Sequence, residues 1–279
     1  MDSIINLSGK ELYDKSLIFK QNQDYDNYAI YITMAANYGY LYAIDNIYKC
    51  KTYTKQNYTI SIKFYEASAY NDNLPNSYSL HFLAYMYCNG LGVNKDYDQA
   101  IKLYHLAIEK GCSASLNNLG TMYDKGLGVE QNYTKAIELY EAAIKKNIAM
   151  SLNNLAVIYE KGVGVQQNYA KAIELYEKAI DRGIVLSLRK LAYLYKCGYG
   201  TKQNYILAFE LYYKAIEKGN ITCLYDAVIL YETKINIPRD YNKIIKIYQI
   251  GIENGYTSFS NKLIQLFKIQ SLESESFMT

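Results

Sequence analysis

The sequence predicts an all-α fold: a right-handed α/α superhelical solenoid of about seven antiparallel helix pairs, followed by a C-terminal capping helix. Two observations predict it. A tyrosine, which we call the anchor, recurs every 36 residues, and apolar residues between successive anchors recur at helical spacing. The anchors are Tyr97, Tyr133, Tyr169, Tyr205 and Tyr241, with weaker copies at Tyr25 and Tyr58. One helix pair cannot bury its own apolar faces, whereas stacked pairs can.

Each unit of the period predicts two helices, A and B. In the fourth unit we expect helix A over residues 115–125, with Ser113 as its N-cap, and helix B over residues 133–146. Ala136 and Ala143 lie two turns apart on one face of helix B, where a small side chain lets helix A approach closely. Short loops between the helices make each pair antiparallel.

A column of glycine and asparagine predicts where each helix B ends. Fourteen residues after the anchors stand Gly39, Gly111, Asn147, Gly183, Gly219 and Gly255. Glycine and asparagine adopt the left-handed backbone conformation at little cost, and that conformation commonly ends a helix. The column therefore predicts a left-handed residue after every helix B.

The ends of the chain depart from the period, as terminal repeats usually do. The predicted divisions are an N-terminal helix of a first, atypical repeat over 1–24, the repeat region over 25–256, and a capping helix with a polar tail over 257–279. The first helix A is expected over residues 8–21 and the polar tail over 271–279. The capping element is expected to be a lone helix A, because three helix A columns continue into it, at Phe259, Leu263 and Phe267.

Composition excludes several classes of protein. Half of the 279 residues are hydrophobic, which is enough to bury a core, and 34 of them are tyrosine. The net charge is +3, from 30 basic and 27 acidic residues, so there is no electrostatic footprint for nucleic acid. No apolar run approaches the ~20 residues of a membrane span. The N-terminus shows no signal-peptide pattern and the five cysteines are odd in number and widely spaced, so we expect a reduced, cytoplasmic protein.

No constellation of residues predicts chemistry. The Gly-x-Gly loops follow a helix and lack the lysine of a phosphate-binding loop, so we interpret them as structural turns. His81 and His105 have no carboxylate or cysteine at metal-ligand spacing. We therefore expect no enzyme activity, no catalytic residue, no metal and no cofactor.

The motifs of the central units resemble the Sel-one-like repeat family, which is similar to tetratricopeptide repeats. The residues that carry the resemblance in the fourth unit are Leu119-Gly120, Tyr123, Gly126-Leu127-Gly128-Val129, Lys135-Ala136 and Ala142-Ala143. The match is strongest over residues 79–219. One departure is a column of Ser79, Ser115, Ser151, Ser187 and Cys223 where the family usually has alanine. The resemblance implies a scaffold or adaptor without chemistry of its own. The Tyr, Asn and Lys-rich style also resembles repeat proteins of large AT-rich DNA viruses, which would place the protein in the host cytoplasm.

The concave face of such a solenoid is lined by the A helices, and its free positions are the candidate binding residues. Two rows of residues four apart share one helix face. They are His81, Tyr85, Asn117, Thr121, Asn153, Val157, Arg189, Tyr193, Tyr225 and Ile229. Amides in these rows suit a peptide backbone, the arginine suits a carboxylate, and the tyrosines offer the contact area typical of hot spots. The alternative interpretation is that these are ordinary solvated or inter-repeat positions.

Two functions remain open at this point. The first is an adaptor that holds a partner protein or peptide in the groove, acting as a monomer or with weak self-association and without a membrane. The second is a single-strand RNA binder that reads bases with Asn117 and Asn153, as some helical-repeat proteins do. The near-neutral charge and the acidic residues Asp124 and Glu160 beside the groove make nucleic acid the weaker candidate.

Ala143→Leu tests the assigned register. The larger side chain should overpack the contact between helices A and B, so we expect the free energy of unfolding to fall by about 1–3 kcal/mol. Thermal and denaturant unfolding measure the change. Normal stability of this variant would contradict the register.

Overall fold

The computed structural model describes residues 7–22, 24–37, 62, 65, 77–233 and 240–276, and all regular secondary structure in them is helical. The predicted all-α architecture of paired helices is confirmed in this part of the chain. The weaker repeat copy at Tyr58, with Gly39 before it, lies outside the described residues. The chain divides into two compact units, Met1–Ile148 and Ala149–Thr279.

Successive helices pack in pairs within the first unit. α1 with α2, α3 with α4 and α5 with α6 form the A–B pairs, and α4 also contacts α5. The helices are α1 (Gly9–Gln21), α2 (Tyr25–Asn37), α3 (Ser77–Asn89), α4 (Tyr97–Glu109), α5 (Ala114–Lys125) and α6 (Tyr133–Lys145). The two helices predicted for the fourth unit, α5 and α6, are found within one residue of their expected bounds.

The second unit continues the same pattern and ends in a single helix. Its helices are α7 (Met150–Lys161), α8 (Tyr169–Asp181), α9 (Leu186–Cys197), α10 (Tyr205–Glu217), α11 (Leu224–Thr233), α12 (Tyr241–Glu253) and α13 (Ser258–Ser276). A short 3₁₀ turn, Ile221–Cys223, leads into α11. α13 occupies the place predicted for the capping helix, and it runs through most of the segment predicted as a polar tail. Glutamate and leucine in that segment are good helix formers, so polarity alone did not mark a helix end.

Ser113 stands at the N-cap position of α5, as predicted, but its side chain does not cap the helix. The residue has helical backbone angles and its side chain makes no capping hydrogen bond. Side-chain caps lie instead at the residue before the five anchors from Tyr97 to Tyr241, where a carboxylate or amide oxygen accepts from a backbone N–H three residues on. These caps are Asp96, Asn132, Asn168, Asn204 and Asp240. The recurring Asn-Tyr or Asp-Tyr pair was the sequence signal for them.

The left-handed column after helix B is confirmed. The backbone φ is 94° at Gly111, 62° at Asn147 and 86° at Gly183. A Cβ added at Gly111 or Gly183 would meet no atom within 4 Å, so glycine is needed there for its conformation and not for space. This explains why one member of the column is asparagine, which adopts the left-handed region more readily than other side chains.

A buried tyrosine of helix B joins the two helices of most repeats. The rings of Tyr104, Tyr140, Tyr176, Tyr212 and Tyr248, seven residues after the anchors, are buried. Tyr176 donates its hydroxyl hydrogen bond to Glu160 at 2.5 Å, and Tyr248 donates to Glu232 at 3.0 Å. The column therefore supplies both packing area and a polar contact to helix A.

At the C-terminal end of the second unit, one small residue of the repeat is replaced by a large one, and the residue that it contacts is correspondingly smaller. Phe259 is fully buried at the position that holds serine or cysteine in earlier repeats. Gly251 stands where helix B otherwise carries alanine, and a Cβ added there would overlap the Phe259 ring. The glycine thus makes room for the phenylalanine that docks α13.

Gly251→Ala should lower the free energy of unfolding by about 1–3 kcal/mol, because overpacking against Phe259 outweighs the gain in helix propensity of about 1 kcal/mol. Denaturant unfolding measures the loss. Adding Phe259→Leu should recover part of it, because the two residues are in contact and their effects do not add. A higher free energy of unfolding in Gly251→Ala alone would contradict this expectation, because it would mean that the gain in helix propensity exceeds the cost of overpacking against Phe259.

Candidate functional site

The predicted groove residues all lie on A helices. Four belong to the first unit, on α3 and α5: His81, Tyr85, Asn117 and Thr121. Six belong to the second unit, on α7, α9 and α11: Asn153, Val157, Arg189, Tyr193, Tyr225 and Ile229. In each helix the two members are four residues apart, and the first member lies nearer the helix N-terminus.

His81 and Asn153 are buried, and each bonds to a serine of the next helix A. His81 is 1% exposed, and its Nδ1 shares a 2.8 Å hydrogen bond with Ser115 Oγ. Asn153 is 9% exposed, and its Oδ1 accepts a 3.0 Å hydrogen bond from Ser187 Oγ. In both cases the side chain reaches the serine that opens the next helix A. The serine column, which departs from the family's alanine, supplies the partner for these buried polar groups.

The same row continues as a contact between successive A helices at the C-terminal end. Arg189 Nε lies 3.0 Å from Asp226 Oδ2, and the ring centroids of Tyr225 and Phe259 are 5.2 Å apart. Residues of this row therefore join successive A helices here as well. Arg189 and Tyr225 nevertheless stay about half exposed, so they also present surface to solvent.

The members in the first unit divide between surface and structure. Tyr85 is exposed. Asn117 is half-buried and its Nδ2 donates to Asn118 Oδ1 at 3.3 Å. Thr121 Oγ1 donates to the Asn117 carbonyl oxygen at 3.0 Å and lies 3.2 Å from Tyr140 Oη. Thr121 therefore holds helices A and B together, and Tyr85 is the predicted residue of this unit with the most free surface.

Large apolar side chains are exposed on neighbouring A helices of the second unit. Tyr193 is 41%, Tyr225 48% and Ile229 55% exposed. Tyr193 and Ile229 occupy equivalent positions of α9 and α11, and the Arg189–Asp226 ion pair joins these two helices. We call the surface formed by Arg189, Tyr193, Tyr225 and Ile229 the α9–α11 face. Val157 on α7 is half-buried.

Aromatic contacts hold the tyrosines of this face in place. Tyr193 meets Tyr199 edge-on with ring centroids 6.2 Å apart, and Tyr199 stacks on Tyr169 at 5.1 Å. Tyr225 lies edge-on to Tyr256 at 5.4 Å. Tyr199 is not among the predicted groove residues. Its signal is a tyrosine between the two loop glycines, where other loops carry Leu127 or Val163.

Charges around the α9–α11 face are neutralised locally. Arg189 pairs with Asp226, and Lys190 Nζ lies 3.5 Å from Glu160 Oε1. A side-chain hydrogen bond with Cys197 raises the pKa of Tyr193, so its hydroxyl is neutral at physiological pH. The face thus combines apolar area with hydrogen-bonding groups and little net charge.

The described residues show neither a metal site nor a membrane span. Nowhere in them do three or more His, Cys, Asp or Glu side chains gather closely enough to hold a metal ion. Every helix in the described part of the chain is too short or too polar to cross a bilayer. Burial lowers the pKa of His81 to about 4, so the imidazole is neutral near pH 7.

The buried histidine should make the free energy of unfolding decrease as the pH is lowered. The pKa of His81 is about 4 in the folded chain against 6.5 for an unperturbed histidine, so the unfolded state binds the proton first as pH falls through this window. The loss is about 1.4 kcal/mol per pH unit. His81→Asn keeps a hydrogen-bonding group toward Ser115, as Asn153 does toward Ser187, and should flatten the pH dependence of unfolding between pH ~6 and ~4.5. Exposed His105→Asn is the matched control. Equal slopes for wild type and His81→Asn would contradict this account.

Comparison with known proteins identifies the repeat. A family model described as the Sel1 repeat matches residues 34–73, 77–112, 113–148, 149–184 and 185–220. A Sel1 repeat protein from Oxalobacter formigenes is similar in structure, with a TM-score of 0.63 and 25% identity over 74% of this chain and 83% of its own. A protective antigen of uropathogenic Escherichia coli with an SLR fold has a TM-score of 0.62 and 25% identity.

The protective antigen is longer than this chain, since the match covers 93% of this chain but 56% of the antigen. A search of curated protein sequences finds no match. The matched repeats follow the 36-residue period and confirm the resemblance drawn from the Gly-x-Gly loops and alanine columns. Members of this family are generally protein-interaction scaffolds. The chain belongs to the Sel1 repeat family.

Proposed function

We propose that this protein is a non-catalytic scaffold or adaptor that binds a partner protein or peptide on the α9–α11 face. The observation that supports it best is the exposure of Tyr193, Tyr225 and Ile229 on adjacent A helices. Tyrosine is enriched among residues that dominate binding energy, since it buries a large ring and keeps a polar tip.

The rigidity of the face favours binding. Tyr193 is held between Tyr199 and Lys196, whose Nζ lies 5.2 Å from its ring centroid. Tyr225 is held by Tyr256 and Phe259. Side chains that are already ordered lose less conformational entropy when a partner binds. Such a face suits an extended segment with apolar side chains and free backbone amides.

In the first unit we propose Tyr85 as a further contact, and in the second Val157. His81, Asn117, Asn153 and Thr121 are left out of the contact surface, because their polar atoms already bond within the protein.

The RNA-binding alternative loses support from the same contacts. Asn153, one of the two residues proposed to read bases, is buried against Ser187. Arg189 and Lys190 are paired with Asp226 and Glu160, so they add little positive potential for phosphates. No observation favours this function over peptide binding.

We also propose that the protein acts in the cytoplasm. Among the described cysteines, Cys88, Cys112, Cys197 and Cys223 are free thiols, which fits a reducing compartment. Burial raises the pKa of Cys223 to about 11, so this thiol is protonated at neutral pH and is not a nucleophile. Its side chain packs in the core.

Tyr193→Ser/Ile229→Ser tests the proposed face. We expect the variant to fold normally and to bind its partner at least ~10-fold more weakly, since each hot-spot residue contributes more than about 1 kcal/mol. Partners are captured from the native cell with the wild-type chain, identified by mass spectrometry, and their dissociation constants measured with both proteins. Ile18→Ser/Ile206→Ser removes exposed apolar residues elsewhere and is the control.

Equal binding by the Tyr193→Ser/Ile229→Ser variant and wild type would rule out the face. A nucleic acid as the captured partner, with affinity that falls steeply as salt rises, would replace the proposal with the RNA-binding alternative. Peptide binding should change little with salt, because the charges of the face are already paired.

A further inference from the structure

A cleft lies between α8, α9 and α10 in the second unit, and we call it the α8–α10 cleft. Four apolar residues line it, from the end of α8 to the start of α9: Ile180, Ile184, Val185 and Leu188. Leu188 is buried and the other three are half-buried. α10 contributes Lys214 and Lys218, which are exposed. The cleft shares no lining residue with the α9–α11 face, so its occupation does not depend on the proposed function.

The cleft has the size of one large side chain. Its volume is about 240 Å³. Clefts that bind small molecules usually measure about 300–1,000 Å³, whereas an apolar cavity of about 150 Å³ already holds benzene. One leucine, isoleucine or phenylalanine side chain of a partner therefore fits the cleft better than a whole cofactor does.

The two lysines of the cleft are not neutralised within the described part of the chain. Neither Lys214 nor Lys218 forms an ion pair there. They are four residues apart and so share one face of α10. The lining also holds one acidic residue, Asp181, so two lysines and one aspartate leave the cleft with a net charge of +1.

Contacts with the neighbouring helix explain why these lysines have no carboxylate partner. On α8, Lys178 Nζ pairs with Glu174, four residues before it, at 2.6 Å. The equivalent glutamate of α10, Glu210, pairs instead with Lys243 of α12 at 2.6 Å. Glu217 pairs with a second lysine of α12 at 2.8 Å. The acidic side chains of α10 are thus held by α12, and its two lysines at the cleft keep their charge for another partner.

We propose that the α8–α10 cleft binds an acidic segment of a partner protein, which inserts one apolar side chain between its acidic residues. The apolar lining receives the inserted side chain, and Lys214 and Lys218 pair with carboxylates next to it. Asp181 repels carboxylates on its own side, so the acidic residues of the segment lie beside the lysines. A basic segment would meet two like charges, and charge complementarity therefore selects an acidic one. The cleft gives the scaffold a second contact site, separate from the α9–α11 face.

Fluorescence polarisation with the full chain and a labelled nine-residue peptide tests the proposal. The peptide carries one phenylalanine between two runs of aspartate and glutamate. We expect saturable binding that weakens at least ~10-fold in Lys214→Glu/Lys218→Glu, because two attractive charges become repulsive. Lys161→Glu/Lys202→Glu makes the same change of net charge at exposed lysines outside the cleft and should bind like wild type. Circular dichroism checks that both variants are folded.

A second peptide tests the apolar part of the site. Serine in place of the phenylalanine keeps every charge of the peptide but removes the inserted ring. We expect its binding to be at least ~10-fold weaker, because burying a phenylalanine side chain is worth more than one factor of ten in affinity.

Methyl NMR during the titration locates the bound peptide. Signals of Ile184 and Val185 should shift, because the phenylalanine ring lies against them, whereas that of Ile229 on the α9–α11 face should not. Absence of shifts at Ile184 and Val185 would overturn the cleft site. Shifts at Ile229 alone would do so while leaving the proposed function of the α9–α11 face intact, so the two failures can be told apart.

Three binding results would also overturn the proposal: no saturable binding, equal binding by Lys214→Glu/Lys218→Glu and wild type, or equal binding of the serine peptide. A purely local role of the lysines at the C-terminal end of α10 predicts lower stability with unchanged binding. An equal loss in Lys161→Glu/Lys202→Glu would mean attraction to overall charge and not to the cleft. Single-stranded RNA that displaces the peptide at equal charge concentration would overturn it in favour of nucleic acid.

Discussion

The packing of a tyrosine ring from helix B against a small residue of helix A sets the geometry of each repeat. In the first unit the Tyr140 ring lies so close to Gly120 that a Cβ there would approach it to 2.8 Å. The ring is buried while its hydroxyl stays close to Thr121 on helix A, at 3.2 Å. One residue type therefore satisfies both the apolar and the polar requirement of the contact. Part of the tyrosine excess in this chain follows from copying that contact along the period.

Within each unit a second set of contacts joins successive A helices, and its chemistry differs from one pair to another. The pairs are His81 with Ser115, Asn153 with Ser187, Arg189 with Asp226, and Tyr225 with Phe259. The first two are buried hydrogen bonds, the third is a partly exposed ion pair, and the last is an aromatic contact. Repeats with the same backbone thus differ in how they bind their neighbours. In the second unit the exposed fraction of this row increases from Asn153 to Arg189 and Tyr225.

The proposed functions follow from this change. Where polar side chains are consumed by inter-repeat bonds, helix A has little left to offer a partner. Where Tyr193, Tyr225 and Ile229 stand, apolar area remains exposed on a rigid support. A scaffold built by repetition therefore acquires its contact surfaces at positions where the repeat is modified.

Sequence alone determined the features of this protein that depend on local spacing. The period, the helix bounds of the fourth unit, the left-handed column and the family were predictable, because each follows from the spacing of residues along the chain or from the backbone needs of one residue, as at Asn147. Tertiary structure alone decided which helix A side chains are accessible. His81 and Asn153 share a register with Arg189, yet the first two are buried and the last is exposed. The physical reason is that burial of this row depends on the residue that each side chain meets in the next repeat. A serine bonds His81 and Asn153 in the interior, whereas Asp226 pairs with Arg189 at the surface.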